Sequence, residues 1–187
     1  MRGMSGRAVR SGPAGVSTGV TTGIQELMRQ VERVRDTFRR DVLAGDVDAA
    51  VAACAASVAL VHLPAGTGAS GADGLRSFLA RDVVGHLPAD LTHTRVSRTL
   101  DRFRVVDEER VAFTHDRELP WLLPGVAPTG RRADVLAVSI CTVRQGRVLG
   151  MRVHWDLASL LAGLGLSADA VRLAGAATAP EGPRSWW

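Results

Sequence analysis

The stretch Cys141-Thr142-Val143-Arg144-Gln145-Gly146-Arg147-Val148-Leu149-Gly150-Met151-Arg152-Val153-His154-Trp155-Asp156 decides how this chain folds. Gln145-Gly146 separates two apolar, β-branched runs, and such a pair makes a two-residue hairpin turn. The turn joins a strand over Arg132 to Val143 to a last strand over Arg147 to Trp155. Side chains alternate across a strand. Leu149, Met151, Val153 and Trp155 therefore share one face, and Gly150, Arg152, His154 and Asp156 the other. Either the apolar row is core and the polar row meets water, or the polar row lines a concave cavity and the apolar row packs in a dimer. Parity alone leaves both open.

Upstream of this hairpin the chain changes character. Ile24, Leu27, Met28, Val31, Val34 and Phe38 recur at spacings of three and four, which predicts a helix beginning at Gly23 and stopping at Gly45. Asp46 is placed to cap a second helix, Val47 to about Ala55. Ser57 to Leu63 reads as a strand, Ala65 to Gly71 as a glycine-rich loop, and Ala72 to about Val84 as a third helix. Thr92 to Val106 reads as a long strand or bent hairpin, Asp107-Glu108-Glu109-Arg110 as its turn, and Val111 to Leu119 as the strand after it. Pro120 to Gly130 holds three prolines and two glycines and reads as a loop. A short helix starting at Asp156 or Ser159 reaches about Leu164. Helices come first and antiparallel strands last, an α+β order with helices on one face of a curved sheet. The expected divisions are a disordered leader over 1–22, one domain over 23–166 and a flexible tail over 167–187.

Composition narrows the function. All 23 basic residues are arginine, dispersed among 19 acids for a net charge of +4. A nucleic-acid surface clusters its basic residues with aromatics between them, and here only the pairs Arg39-Arg40 and Arg131-Arg132 occur, so no nucleic-acid partner is expected. No apolar run approaches the roughly 20 residues of a membrane span, and no apolar segment follows the N-terminal arginines; no membrane association and a cytoplasmic location are expected. Cys54 and Cys141 lie apart in apolar contexts and read as reduced core residues. The histidines lack metal-ligand spacing, there is no nucleophile elbow of the Gly-x-Ser-x-Gly type, and no glycine-rich turn joins a strand to a helix. No metal and no cofactor are expected.

Two stretches resemble a known family. Leu123-Pro124-Gly125-Val126-Ala127-Pro128-Thr129-Gly130-Arg131 resembles the Pro-Thr-Gly loop of SnoaL-like proteins, polyketide cyclases and relatives of the nuclear transport factor 2-like superfamily. Gln145-Gly146-Arg147-Val148, then His154-Trp155-Asp156 and Leu160 to Leu166, resembles that family's terminal strand and helix. The chain departs from the pattern at Arg152, where the family has tryptophan, and at Gly163, where it has glutamine. Phe113 to Asp116 with Trp121 to Gly125 is closer to a branch with some members joined to dienelactone-hydrolase-like domains. The resemblance implies a cone-shaped, barrel-like α+β fold: N-terminal helices packed on a strongly bent, mainly antiparallel sheet, an apolar pocket inside, and often a homodimer through the sheet.

It also implies a role for Asp156, which matches the acid/base aspartate of SnoaL-type cyclases. A carboxyl group in an apolar pocket loses hydration, its pKa rises, and it can shuttle a proton to and from carbon. His154 and Arg152 share its strand face and can steady an enolate. His115 and Asp116 point to opposite faces of their strand, so one of the two can enter a pocket, and His115 shares the more apolar face. His115 and His154 are therefore the catalytic partners expected for Asp156. Arg152, Trp121, His62, His86, Asp116 and Phe78 are expected substrate contacts, each weighed against a purely structural role. The expected activity is cofactor-independent acid/base catalysis on an apolar small molecule, a cyclisation or isomerisation in secondary metabolism. A non-catalytic binding or dimerisation module, and an epoxide or lactone hydrolase, are the alternatives.

Overall fold

The computed structural model describes residues 17–171, with side chains from residue 23. Of the expected leader over 1–22, residues 17–22 are instead the start of the first helix, which the apolar spacing alone places from Gly23. Residues 1–16 lie outside the described residues, as do residues 172–187 of the expected tail over 167–187, whose described part holds a 3₁₀ turn at Ala168–Ala170. The elements in chain order are α1 (Ser17–Leu43), α2 (Val47–Ala52), β1 (Cys54–Leu63), β2 (Thr67–Ser70), α3 (Ala72–Phe78), β3 (Thr92–Leu100), β4 (Arg104–Thr114), β5 (Arg132–Arg144), β6 (Arg147–Trp155) and α4 (Leu157–Leu164). The six strands form one sheet in the order β2-β1-β6-β5-β4-β3, with β1 and β6 parallel and the other neighbours antiparallel. The sheet is strongly curved and unclosed. α1 packs across β4, β5 and β6, α3 lies against β1 and β2, and α4 lies against β5. No described helix is long and apolar enough to cross a membrane.

Local chemistry explains most boundaries. Asp46 caps α2 by accepting from the Ala49 N–H at 2.9 Å, as its position predicts. Gln145 and Gly146 both take positive φ, 51° and 72°, the geometry that lets a two-residue turn follow the twist of its strands. α3 ends earlier than expected: a π-helical turn over Leu79–Val83 and a 3₁₀ turn over Val84–His86 continue it to the chain reversal at Leu87.

Two further expectations fail. The segment from Ala65 to Gly71 is not only a loop; it contains β2, which pairs antiparallel with β1. A Cβ on Gly68 would lie 2.0 Å from the Leu60 carbonyl oxygen, so the close approach of this short strand requires glycine. Nor is Asp107 to Arg110 a turn. The reversal falls at Asp101 to Phe103, where Asp101 Oδ1 accepts from the Phe103 and Arg104 N–H groups at 2.6 and 2.7 Å. The acidic run sits inside β4. Asp107 and Glu109 are buried with Val105, Val111 and Phe113 on the inner face, while Glu108 and Arg110 point away.

These inward carboxylates are possible because α1 presents arginines to them. Arg35, 3% exposed, places NH2 2.7 Å from Asp107 Oδ2, and Arg98 of β3 contacts both Asp107 oxygens at 2.5 and 2.9 Å. Arg98 also bonds Asp36 and Glu32, and Arg39 bonds Glu109. α1 thus carries two stripes. Val31 and Phe38 enter the apolar core, while Glu32, Arg35, Asp36 and Arg39 close the open side of the sheet through paired charges.

Candidate functional site

Between α1, the π-helical turn and the concave face of the sheet lies a cavity of about 120 Å³. Its walls are mostly apolar: Phe38 and Val42 from α1, Leu79 and Val83, Leu60 from β1, and Met151 and Val153 from β6. Its polar lining comes from His62, His93, Ser139, Glu109, Arg35 and Arg39. A more polar hollow of about 390 Å³ adjoins it and shares Arg35, Arg39, Leu43, His93 and Glu109.

The parity question of the last strand is answered here. Met151, Val153 and Trp155 face the cavity, whereas Arg152 and His154 lie on the opposite face and His154 is exposed. The placement of Asp156 in an enclosed pocket is corrected. Asp156 is an exposed N-cap of α4, its Oδ1 accepting from the Ser159 N–H at 3.1 Å. Those hydrogen bonds from Ser159 hold its carboxyl below the usual range, the opposite of a carboxyl tuned to be an acid near neutrality. Asp156→Asn, which keeps a good cap, is expected to leave ligand binding and turnover unchanged; an impaired variant would return Asp156 to the site.

The other expected contacts divide. His62 and Trp121 line the cavity. Phe78 is buried behind it, its ring centroid 6.3 Å from that of His62. His115 does not line it: the residue is fully buried, with Nδ1 3.3 Å from Thr129 Oγ1, and supports the Pro-Thr-Gly loop from beneath. Asp116 is exposed and paired with Arg117. His86 places Nδ1 3.0 Å from the Glu118 carbonyl oxygen and lies outside the cavity.

His62 is the inner polar group. The Trp155 indole N–H donates to its Nδ1 at 3.2 Å, and the Trp121 ring centroid lies 5.3 Å away. Burial pushes its pKa down to about 4; the surface it keeps accessible lines the cavity. Glu109 is the outer one. Burial pushes its pKa up, but His93, Arg39 and Arg35 together overcome this and hold it at about 2. His93 Nδ1 stands 3.4 Å from Glu109 Oε2, near enough to pair but without hydrogen-bond alignment. Cys54 and Cys141 are buried thiols, pushed up to about 12 by desolvation, and are not nucleophiles. Among the described residues, no three His, Cys, Asp or Glu side chains converge as a metal site.

These shifts predict the acid behaviour of the fold. His62 binds a proton near pH 6.5 when unfolded but only near 4 when folded, and Glu109 near 4.5 unfolded but 2 folded. Both contributions are present at neutral pH and are lost as pH falls, the first from 6.5 to 4 and the second from 4.5 to 2. His62→Phe is expected to flatten the fall of the urea midpoint between pH 7 and 4.5. An unchanged slope would mean that His62 is not desolvated.

The missed site residues are His93, Glu109, Arg35 and Arg39. A signal existed for them. Asp107 and Glu109 alternate with Val105, Val111 and Phe113 at strand period, and Arg35 and Arg39 are spaced i, i+4 beside the apolar stripe of α1.

With the cavity enclosed by helices on a bent sheet, the comparisons are decisive. A family model described as the SnoaL-like domain matches residues 31–151. The chain belongs to the SnoaL-like family. Among curated proteins none matches its sequence. Similar solved structures include a protein from Jannaschia sp. CCS1 named provisionally as a SnoaL-like polyketide cyclase, at 19% identity and TM-score 0.62, covering 75% of this chain and 95% of that one. TsrD from Streptomyces laurentii matches at 19% identity and TM-score 0.57, covering 74% and 97%. An epoxide hydrolase from M. tuberculosis, of the LEH-like kind, matches at 18% identity and TM-score 0.52, covering 76% and 91%. At these identities the structural neighbours establish the fold. The family match ends at residue 151, before Asp156.

Proposed function

We propose that this SnoaL-like chain is a cofactor-independent acid/base enzyme that isomerises or cyclises an apolar small molecule held in the cavity. The observation that carries the reading is a pair of histidines, His62 on β1 and His93 on β3, lining one apolar chamber from well-separated strands. With a proton on Nδ1 directed at the Glu109 carboxylate, His93 offers the lone pair of Nε2 as base. At 3.4 Å the contact is of the long kind that catalytic hydrogen bonds often show outside the transition-state complex. His62, neutral at physiological pH, offers the opposite function, an N–H for a developing oxyanion, by the same logic that keeps a depressed imidazole neutral and electrophilic. The fold relatives named as a cyclase and an epoxide hydrolase support a catalytic use of such a chamber.

Hydrogen exchange into a simple carbon acid tests this without knowledge of the natural substrate. The protein is expected to speed deuterium uptake at the methyl group of acetophenone in D₂O above the buffer rate, as read by NMR. Ala137→Phe, which fills the cavity from β5, is expected to abolish that gain. Acetophenone that binds but exchanges at the buffer rate would leave a binding module instead.

Hydrolysis of an epoxide or lactone is the second reading, favoured by Glu109 beside Arg39 and Arg35 in the cavity wall. A carboxylate–arginine pair there can hold one water. Incorporation of ¹⁸O from water into product would favour it over isomerisation. A homodimer through the outer sheet face is also proposed, resting on exposed Val96 (56%) and Leu136 (44%) on β3 and β5; a sedimentation mass of one chain would exclude it.

A further inference from the structure

We infer that the cavity takes an uncharged ligand about one ring across that presents a carbonyl-type oxygen to the Nε2–H of His62, and that Trp155 is the positioning residue that places the proton there. The inference rests on the same chamber as the proposed catalytic reading, and names its ligand.

The proton assignment follows from donor chemistry. An indole nitrogen can only donate. Trp155 Nε1 lies 3.2 Å from His62 Nδ1, so Nδ1 must be the acceptor and Nε2 must carry the hydrogen of the neutral ring. Among the described residues the hydrogen bond of His62 runs through Nδ1 and none accepts from Nε2, and the ring lines the cavity. The inner end therefore offers a donor and awaits an acceptor. Ser139, the other short polar group there, already accepts from Arg35 NH2 at 3.3 Å. A hydrocarbon would leave the His62 donor desolvated and unpaired, at a cost in affinity.

The charge of the ligand follows from what the arginines already do. Arg35 is engaged by Asp107 at 2.7 Å and stands 3.7 Å from Glu109, and Arg39 is bonded to Glu109. Around His62 the walls are Trp121, Trp155 and aliphatic side chains, with Phe78 packed behind the imidazole. A carboxylate pushed into that end would be a buried anion without a counter-ion, which is strongly unfavourable. The size follows from the volume: about 120 Å³ is close to the roughly 150 Å³ of an apolar cavity that accepts benzene.

The experiment uses three probes of one shape: acetophenone, ethylbenzene and benzoate. Their dissociation constants are measured by NMR titration, following the Met151 methyl group in the cavity wall. Acetophenone is expected to bind roughly three- to tenfold tighter than ethylbenzene, the worth of one neutral hydrogen bond, and benzoate weakest of the three. His62→Phe is expected to erase the gap between the first two. Benzoate binding as tightly as acetophenone, a gap that persists in His62→Phe, or saturation by none of the three overturns the inference. Wild-type ¹⁵N NMR of His62 provides a test that needs no variant: the Nε2–H tautomer is expected, and Nδ1–H would refute it. Trp155→Phe is expected to mix the two tautomers and to shrink the ratio of acetophenone to ethylbenzene affinity, a ratio taken within the one reshaped cavity. A mere packing role for Trp155 would leave the tautomer unchanged. Failure of acetophenone to exchange deuterium bears on the catalytic reading alone, since the binding preference stands without turnover.

Discussion

Asp107→Asn is expected to destabilise the fold by roughly 3–5 kcal/mol, the loss typical when one partner of a buried ion pair is removed. Asp107 has no exposed surface and is held by Arg35 and Arg98 together. Without its charge, Arg98 keeps Asp36 and Glu32 as partners. Arg35 does not fare as well: it is 3% exposed, its Nε already lacks a partner, and its remaining carboxylates stand at 3.5 Å (Asp36) and 3.7 Å (Glu109). The desolvation that lowers its pKa would then go largely uncompensated. Urea unfolding at pH 7 measures the effect. A loss below about 1 kcal/mol, the range of surface pairs, would mean that water reaches this network.

The same network explains which parts of the fold were legible in the sequence. The hairpin at Gln145-Gly146, the capped helices and the α+β order follow from local rules that the structure obeys. The run Asp107 to Arg110 does not, because four charged residues in succession satisfy the compositional signs of a turn. What makes them a strand is chiefly a pair of partners some seventy residues away: Arg35 and Arg39 of α1, with Arg98 from the neighbouring strand, neutralise the two carboxylates that point inward. Local propensity yields to a tertiary pairing that no short window contains. The real turn at Asp101 was hidden for a related reason, since its side chain bonds to its own following backbone and leaves only an ordinary Asp-Arg-Phe in the sequence.

The site was half legible. His62 stands out in the sequence because it ends a strand among apolar residues, and Trp121 because it sits on a proline-flanked loop; both line the chamber. Asp156 was singled out because its family position and its strand face agreed. That face is the outer one. Strand alternation assigns residues to two sides but does not say which side is concave; the curvature of the sheet and the helix packed on it decide that, through α1 contacting β4 to β6. Once Met151, Val153 and Trp155 are inside, Arg152, His154 and Asp156 must be outside. The polar groups of the chamber then come from β1, β3, β4, β5 and α1 instead.

His93→Gln is accordingly expected to lower proton-transfer turnover by roughly 10²–10⁴, the usual contribution of a positioned general base. Glutamine retains hydrogen-bonding capacity toward Glu109 and approximates the size of the ring, so the fold should survive; but its amide has no basic lone pair. Ligand affinity should change little, because the loss lies in the barrier and not in binding, so kcat and kcat/KM should fall together. Glu109→Gln should fall less, since it removes the orienting carboxylate and leaves the imidazole in place. It should also loosen Arg39, which depends on that carboxylate, and so a unfolding midpoint measured alongside separates the two effects. The order of loss, His93 before Glu109 and both far beyond Asp156→Asn, distinguishes a histidine base from a carboxylate acting on water. In a hydrolase built on the Glu109–Arg39 pair, Glu109→Gln would be the more damaging change, and His93→Gln would cost little.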